Sequence, residues 1–184
     1  MVAQPRFRFS VKQYDRMIDL GILQENDPVE LICGEILVKE TESNRHWAAI
    51  RRFTSYLAVP VMELALYSVR NPVCFSDSET EPDVALLRLK DDYYASGKPS
   101  PSDVLLLIEV ADTSLEFDRE DKLPIYAEAG IREYWIVNLP DDVIEVYRDP
   151  AGKSYRGQTV VRRGDSLTLL ALPDVTIAVS DILP

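Results

Sequence analysis

The chain has 184 residues, 46% of them hydrophobic and 28% charged, which is enough for one sizeable core and excludes a disordered or low-complexity polymer. No apolar run approaches the ~18 residues of a membrane span; Met1 to Arg8 has no apolar stretch of leader type, and the two cysteines, Cys33 and Cys74, make neither a disulfide framework nor a zinc cluster. With Lys plus Arg at 20 and Asp plus Glu at 31, the net charge is −11, which argues against indiscriminate nucleic-acid binding yet allows a local basic track or an acidic cluster that holds a cation. A cytoplasmic protein with no membrane segment and no organic cofactor is expected.

In chain order, Ser10 and Gln13 form a capping box, and Val11, Tyr14, Met17 and Ile18 follow at helical spacing until Gly21. After Asn26-Asp27-Pro28, the run Val29 to Lys39 reads as two short strands joined at Cys33-Gly34, where glycine supplies a positive φ. Ser43 caps a second predicted helix carrying Trp47, Ile50, Phe53 and Leu57 and ending near Pro60. Extended stretches are predicted over Tyr67 to Phe75, Val84 to Leu87, Val104 to Val110 and Glu133 to Val137. Val104 to Ile108 is apolar on both faces, as in a central strand covered on each side.

Lys122 to Ala129 is predicted helical, with Gly130 as its stop. Strand, helix and strand in succession make a crossover, so part of the sheet is expected to be parallel. Val143 to Tyr147, Tyr155 to Val161 and Leu167 to Leu170 add antiparallel strands, with turns at Asp149-Pro150 and Gly164-Asp165. The expected fold is a single α/β domain over residues 1–184, with a central mixed β-sheet flanked by helices and an N-terminal helix and β-hairpin.

The chemistry gathers in Glu81-Pro82-Asp83, Ile108-Glu109-Val110 and Lys122. Asp83 opens a strand and Glu109 closes one, and two carboxylates meeting at strand ends are costly to bury unless something neutralises them. A divalent cation such as Mg²⁺ would, since it prefers carboxylate oxygens and retained waters. A lysine nearby can orient an attacking water and offset charge on a phosphate, completing what metal-assisted phosphodiester hydrolysis requires. On spacing alone a second account stays open, in which the acids are solvated and Lys122 pairs with Asp118 one turn earlier.

The stretch Ile108 to Val137 closely resembles the core signature of the Uma2 family of endonucleases, as do Glu79-Thr-Glu-Pro-Asp-Val84 and Glu30-Leu-Ile-Cys-Gly-Glu-Ile36, with His46 in the following helix. The resemblance runs from about Arg8 to Leu183. It implies the restriction endonuclease-like fold of the PD-(D/E)xK superfamily and a Mg²⁺- or Mn²⁺-dependent endonuclease acting on DNA. It also implies that Asp83 and Glu109 are metal ligands and that Glu30 is an extra ligand or a water-orienting group. Lys122 matches the family's lysine, displaced onto the following helix because Ala111 stands two residues after Glu109. Cys33 and Asn138 stand where Asp is common in the family, outside the ligand set.

His46, the only histidine, is either a structural hydrogen-bonder or an accessory lining residue. Glu35 reads either as a further ligand or, by preference, as an exposed strand acid. Arg45, Arg51 and Arg52, and again Arg162-Arg163, read either as phosphate contacts or as solvated surface. Trp47, Tyr126 and Trp135 read as packing residues. If Asp121 caps the helix, Pro124 lies in its first turn and Lys122 sits at the positive end of the dipole, a cost that an acidic metal site would offset; a cap at Asp118 would weaken that argument but not the chemical one. Cutting two strands suits two sites, so a homodimer is expected. The rival function is a catalytically inactive nuclease fold serving as a protein-interaction module, favoured by the acidic surface and opposed by the intact set of Asp83, Glu109 and Lys122.

Overall fold

The structure is a computed structural model that describes residues 6–24 and 26–184; the reading of Met1 to Pro5 as lacking a leader's apolar stretch lies outside the described residues. The Ser10–Gln13 box starts α1 (Val11–Asp19), with the Ser10 N–H donating to the Gln13 side chain at 3.0 Å. β1 (Val29–Ile32) and β2 (Glu35–Val38) form the expected hairpin. Cys33 at φ 48 and Gly34 at φ 78 are consecutive left-handed residues, the requirement of a two-residue turn matched to strand twist. Ser43 caps α2 (Asn44–Val61), which runs through Pro60.

The stretch expected over Tyr67 to Phe75 is two strands in different sheets, β3 (Leu66–Ser68) and β4 (Val73–Cys74). Arg70 turns the chain with φ 52, and Pro72 has no N–H to give a ladder. β5 (Glu79–Thr80), β6 (Val84–Leu87) and β7 (Val104–Ala111) follow. The crossover helix begins earlier than predicted, with α3 (Leu115–Phe117), a π-helical turn over Asp118–Lys122, and α4 (Leu123–Glu128). Lys122 therefore lies inside a helical run, Asp121 is not its cap, and the dipole argument for Lys122 fails.

β8 (Glu133–Asn138), β9 (Val143–Ala151) and β10 (Ser154–Val161) complete the main sheet. β9 continues through the predicted Asp149-Pro150 turn because its pairing with β8 already stops at Arg148, so the missing N–H of Pro150 deprives no strand on that side. Only Ser166–Thr168 of Leu167 to Leu170 and its flank is a strand, β11, and it pairs with β12 (Thr176–Ala178) rather than with the main sheet; α5 (Val179–Ile182) follows.

The main sheet has the order β10-β9-β8-β7-β6-β3, with β7 and β8 parallel and its other pairs antiparallel. A second sheet has the order β2-β1-β5-β4. Alternation along β7 sends Leu106, Ile108 and Val110 to a core with Phe53 and Leu57 of α2, and Leu107 and Ala111 to one with Tyr126 of α4, Ile32 and Val73 of the smaller sheet, and Phe75 just after β4. Glu109 shares parity with Leu107 and Ala111, so it faces the crossover helix and the smaller sheet. Among the described residues no helix is long and apolar enough to cross a membrane.

Gly34 joins the hairpin to the chain's first described segment. A Cβ there would lie 2.8 Å from the Arg8 Cβ and 3.0 Å from the Phe9 carbonyl oxygen. Gly34→Ala is expected to destabilise the protein by about 1–3 kcal/mol through left-handed strain and crowding. Urea denaturation checks this, and an unchanged midpoint would show that the segment yields freely.

Candidate active site

Antiparallel pairing of β6 with β7 sets Val84 opposite Ile108. The start of β6 thus lies beside the end of β7, and Asp83 and Glu109 reach the same end of the sheet. β1 arrives from the smaller sheet by pairing Leu31 with Glu79, and Glu30 then accepts the Glu81 N–H at 2.6 Å. The crossover helix supplies Lys122. Glu30, His46, Asp83, Glu109, Asp118 and Lys122 are all buried and line one cavity of about 330 Å³.

The Lys122 ammonium is the hub, 3.0 Å from Glu109 Oε1 and 3.3 Å from Glu30 Oε2. The Tyr126 hydroxyl donates to the same Glu109 oxygen at 2.7 Å and lies 3.0 Å from Thr80 Oγ1. Asp83 is fixed from two sides, with the Val110 N–H donating to Oδ2 at 2.8 Å and His46 Nε2 lying 3.0 Å from Oδ1. Asp118 does not take Lys122 as its partner; its Oδ2 accepts the Ser114 hydroxyl at 2.8 Å.

Burial dominates the electrostatics. It pushes the Glu109 carboxyl up to about 8 even though Lys122 pulls it down, and Asp83, Asp118 and Glu30 add to the rise. Burial likewise raises Asp118 to about 6 against the pull of Lys122 and the Ser114 hydrogen bond. Burial alone would lower Lys122, but Glu109 and Glu30 more than offset it and hold the amine protonated. Burial also works against a charged His46, yet the Asp83 hydrogen bond and charge raise it above its ordinary value.

The residues singled out from sequence, Glu30, His46, Asp83, Glu109 and Lys122, therefore share one cavity. Glu35 is turned away onto Arg6 at 2.8 Å. Arg45 and Arg163 are tied to Asp142, and Arg52 to the Asp181 carbonyl, so these guanidiniums serve the scaffold. Two site residues escaped the sequence reading, Asp118 and Tyr126, the second taken for packing alone. Their signal was the recurrence of polar groups at 118, 122 and 126, one helical face directed at Glu109.

Among the described residues no group of three His, Cys, Asp or Glu side chains is disposed to hold a metal ion unaided. The donor chemistry nevertheless suits a hard cation, since Mg²⁺ is commonly held by one or two carboxylates together with waters and substrate phosphate. Asp83 and Glu109 are the two carboxylates that would meet that need. Glu30 is already engaged by Lys122 and by the Glu81 N–H.

A mixed sheet with a helical crossover and flanking helices, its acids gathered at the ends of neighbouring strands, defines a restriction endonuclease-like fold. The profile of the Uma2 family, described as "Putative restriction endonuclease", matches residues 11–180. The chain belongs to the Uma2 family. Its structure is similar to that of a "putative nuclease belonging to DUF820" from Anabaena variabilis ATCC 29413, with TM-score 0.71 and 16% identity over 91% of this chain and 96% of that one. Among curated proteins none matches. Family and fold together support a nuclease.

Two stability predictions follow from the charges. Glu109 keeps its proton in the folded state up to about 8, whereas the ordinary value is 4.5. Between those values the native state holds more protons than the unfolded chain, so this group makes stability fall as pH rises. Glu109→Gln should flatten that decline in urea denaturation without metal from pH 5 to pH 8; an unchanged slope would assign the decline to other groups. Lys122→Met should cost about 3–5 kcal/mol near pH 8 by stranding buried carboxylates. The loss should shrink near pH 5, where Glu109 is protonated, and equal losses at both pH values would contradict the pairing.

Proposed function

We propose that the protein is a divalent-metal-dependent DNA endonuclease, with residues 1–184 acting as one unit, working in the cytoplasm and pairing as a homodimer to cut both strands. The observation that carries this reading is the Lys122 ammonium held between Glu109 and Glu30 inside the cavity that also receives Asp83. A cavity with both carboxylates and a cation at strand ends has what hydrolysis of a phosphodiester asks of a protein. The cytoplasmic assignment rests on the cysteines, since Cys33 and Cys74 are both free.

Asp83 and Glu109 would hold Mg²⁺ or Mn²⁺. Bound there, the ion would neutralise the acids and stabilise charge developing on the scissile phosphate. His46 and the Val110 N–H fix the Asp83 carboxylate, and Tyr126 fixes one oxygen of Glu109. Lys122 cannot ligate a metal while protonated, but it can donate to the attacking water or to a phosphate oxygen. Glu30 orients Lys122, which favours the orienting role over that of a third ligand. An inactive interaction module is consistent with the net charge of −11, but it has no need to open these buried groups into a cavity.

Plasmid nicking tests the proposal. Wild type is expected to nick with Mg²⁺ or Mn²⁺ and not with EDTA. The near-isosteric Asp83→Asn and Glu109→Gln should each lose about 100-fold or more, the scale of removing one electrostatic stabiliser from a transition state. Cleavage that survives EDTA, or variants that cut at the wild-type rate, would overturn the metal site.

A further inference from the structure

Arg70 is not explained by the carboxylate–lysine cluster. It turns the chain between β3 and β4 with φ 52, a conformation that side-chain-bearing residues seldom adopt. Its backbone N–H donates to the Pro82 carbonyl at 3.2 Å, which ties the turn to the peptide preceding Asp83. Its guanidinium lies over the Trp47 ring at 5.1 Å, and Trp47 adjoins His46. That guanidinium also forms an ion pair with Glu42, each side chain 23% exposed. Arg70 and Glu42 line the same cavity as Asp83 and Glu109, and Arg70 is the sole guanidinium among the described residues that line it.

Three independent restraints thus hold one guanidinium at the mouth of the site. A surface arginine that merely pairs with a glutamate needs neither the Pro82 tie nor the Trp47 ring. Preorganisation of this kind is useful when a partner must be met in one orientation. A guanidinium fork fits a carboxylate and a phosphodiester equally well, so either can occupy the same donors. Because Trp47 and the Pro82 tie hold Arg70 from behind, its partner can be exchanged while the guanidinium stays in place.

Resting on the nuclease reading, we propose that Arg70 seats a backbone phosphate of the nucleic-acid substrate next to the scissile bond, and that Glu42 occupies that seat until the substrate displaces it. The ion pair is then an internal stand-in for substrate. It keeps a fixed positive charge at the mouth of an acidic protein without leaving that charge open to other anions.

The test is anisotropy of a labelled DNA oligonucleotide across a salt series, with Ca²⁺ used in place of Mg²⁺ to slow turnover. Arg70→Gln should weaken binding about tenfold and reduce the slope of log K against log salt by about one. Glu42→Gln should tighten binding several-fold more than Glu40→Gln, which makes the same charge change at a cavity-lining neighbour with no ion pair among the described residues. In the Arg70→Gln background that advantage of Glu42→Gln should vanish. The proposal is overturned if Glu42→Gln binds no tighter than Glu40→Gln, or if Arg70→Gln binds as wild type does. Should Arg70→Gln fail to fold, the Glu42 and Glu40 comparison decides alone. Wild type that nicks plasmid while showing those contrary results overturns only the role of Arg70; wild type that neither binds nor nicks DNA overturns the nuclease reading and this one together.

Discussion

A lysine ammonium in a protein interior is tolerable only if the groups around it repay its lost hydration, and Lys122 has two carboxylates for that purpose, Glu109 and Glu30. These three residues come from three separately formed pieces: the crossover helix, the central strand β7, and β1 of the smaller sheet. Each piece buries an ionisable group that is costly to bury without the other two. The cluster is therefore a clasp as well as the proposed reactive centre, and it joins the smaller sheet to the main one. Removal of Lys122 strips both carboxylates of their shared cation, and removal of either carboxylate leaves Lys122 with one, so the site is expected to behave as a unit rather than as a sum of contacts.

The scaffold around the clasp limits its freedom. Asp83 is held by the Val110 N–H of the adjacent strand, so its position follows the sheet register rather than a flexible loop. Tyr126 meets Glu109 with its hydroxyl while its ring packs against Phe75 at 5.4 Å and Tyr134 at 4.9 Å. The same residue thus joins the apolar core to the charged cavity, so a change in core packing reaches Glu109 through one ring. Rigid elements supply most of the polar groups in the cluster, which is how a site keeps its geometry without bound ligand.

Much of this was legible in the chain because it depends on local or periodic physics. The Ser10–Gln13 box, the two-residue turn at Gly34 and the doubly apolar Val104 to Ile108 each specify an element without long-range help. The crossover followed from strand, helix and strand in order, and strand-end placement brought Asp83 and Glu109 together. What escaped depends on partners distant in sequence. The π-helical turn at Asp118–Lys122 carries no composition signal of its own. Tyr126 looks like any buried aromatic until its hydroxyl is seen to face Glu109. The break at Arg70 and the run of β9 through Pro150 are settled by which strand lies alongside, and periodicity within a segment does not encode that.

Net charge poses the final constraint, since −11 opposes a polyanion at long range. Much of the protein's basic charge is committed internally: Arg119 to Glu145, Arg148 to Glu133, Arg163 to Asp142 and Lys98 to Asp15 and Glu79. An approaching phosphate backbone would thus meet a surface whose cations are mostly neutralised by neighbours, and long-range steering would contribute little to encounter. Recognition must then be short-range, at a place where cations are held in position and acids can be neutralised on contact. The cavity at the end of β6 and β7 has that character. Its carboxylates invite a dication, its ammonium is buried within reach of them, and its one guanidinium is fixed at the mouth. Under the proposed function the acidic surface and a nuclease site are compatible, because attraction is confined to the place where the bond would be cut.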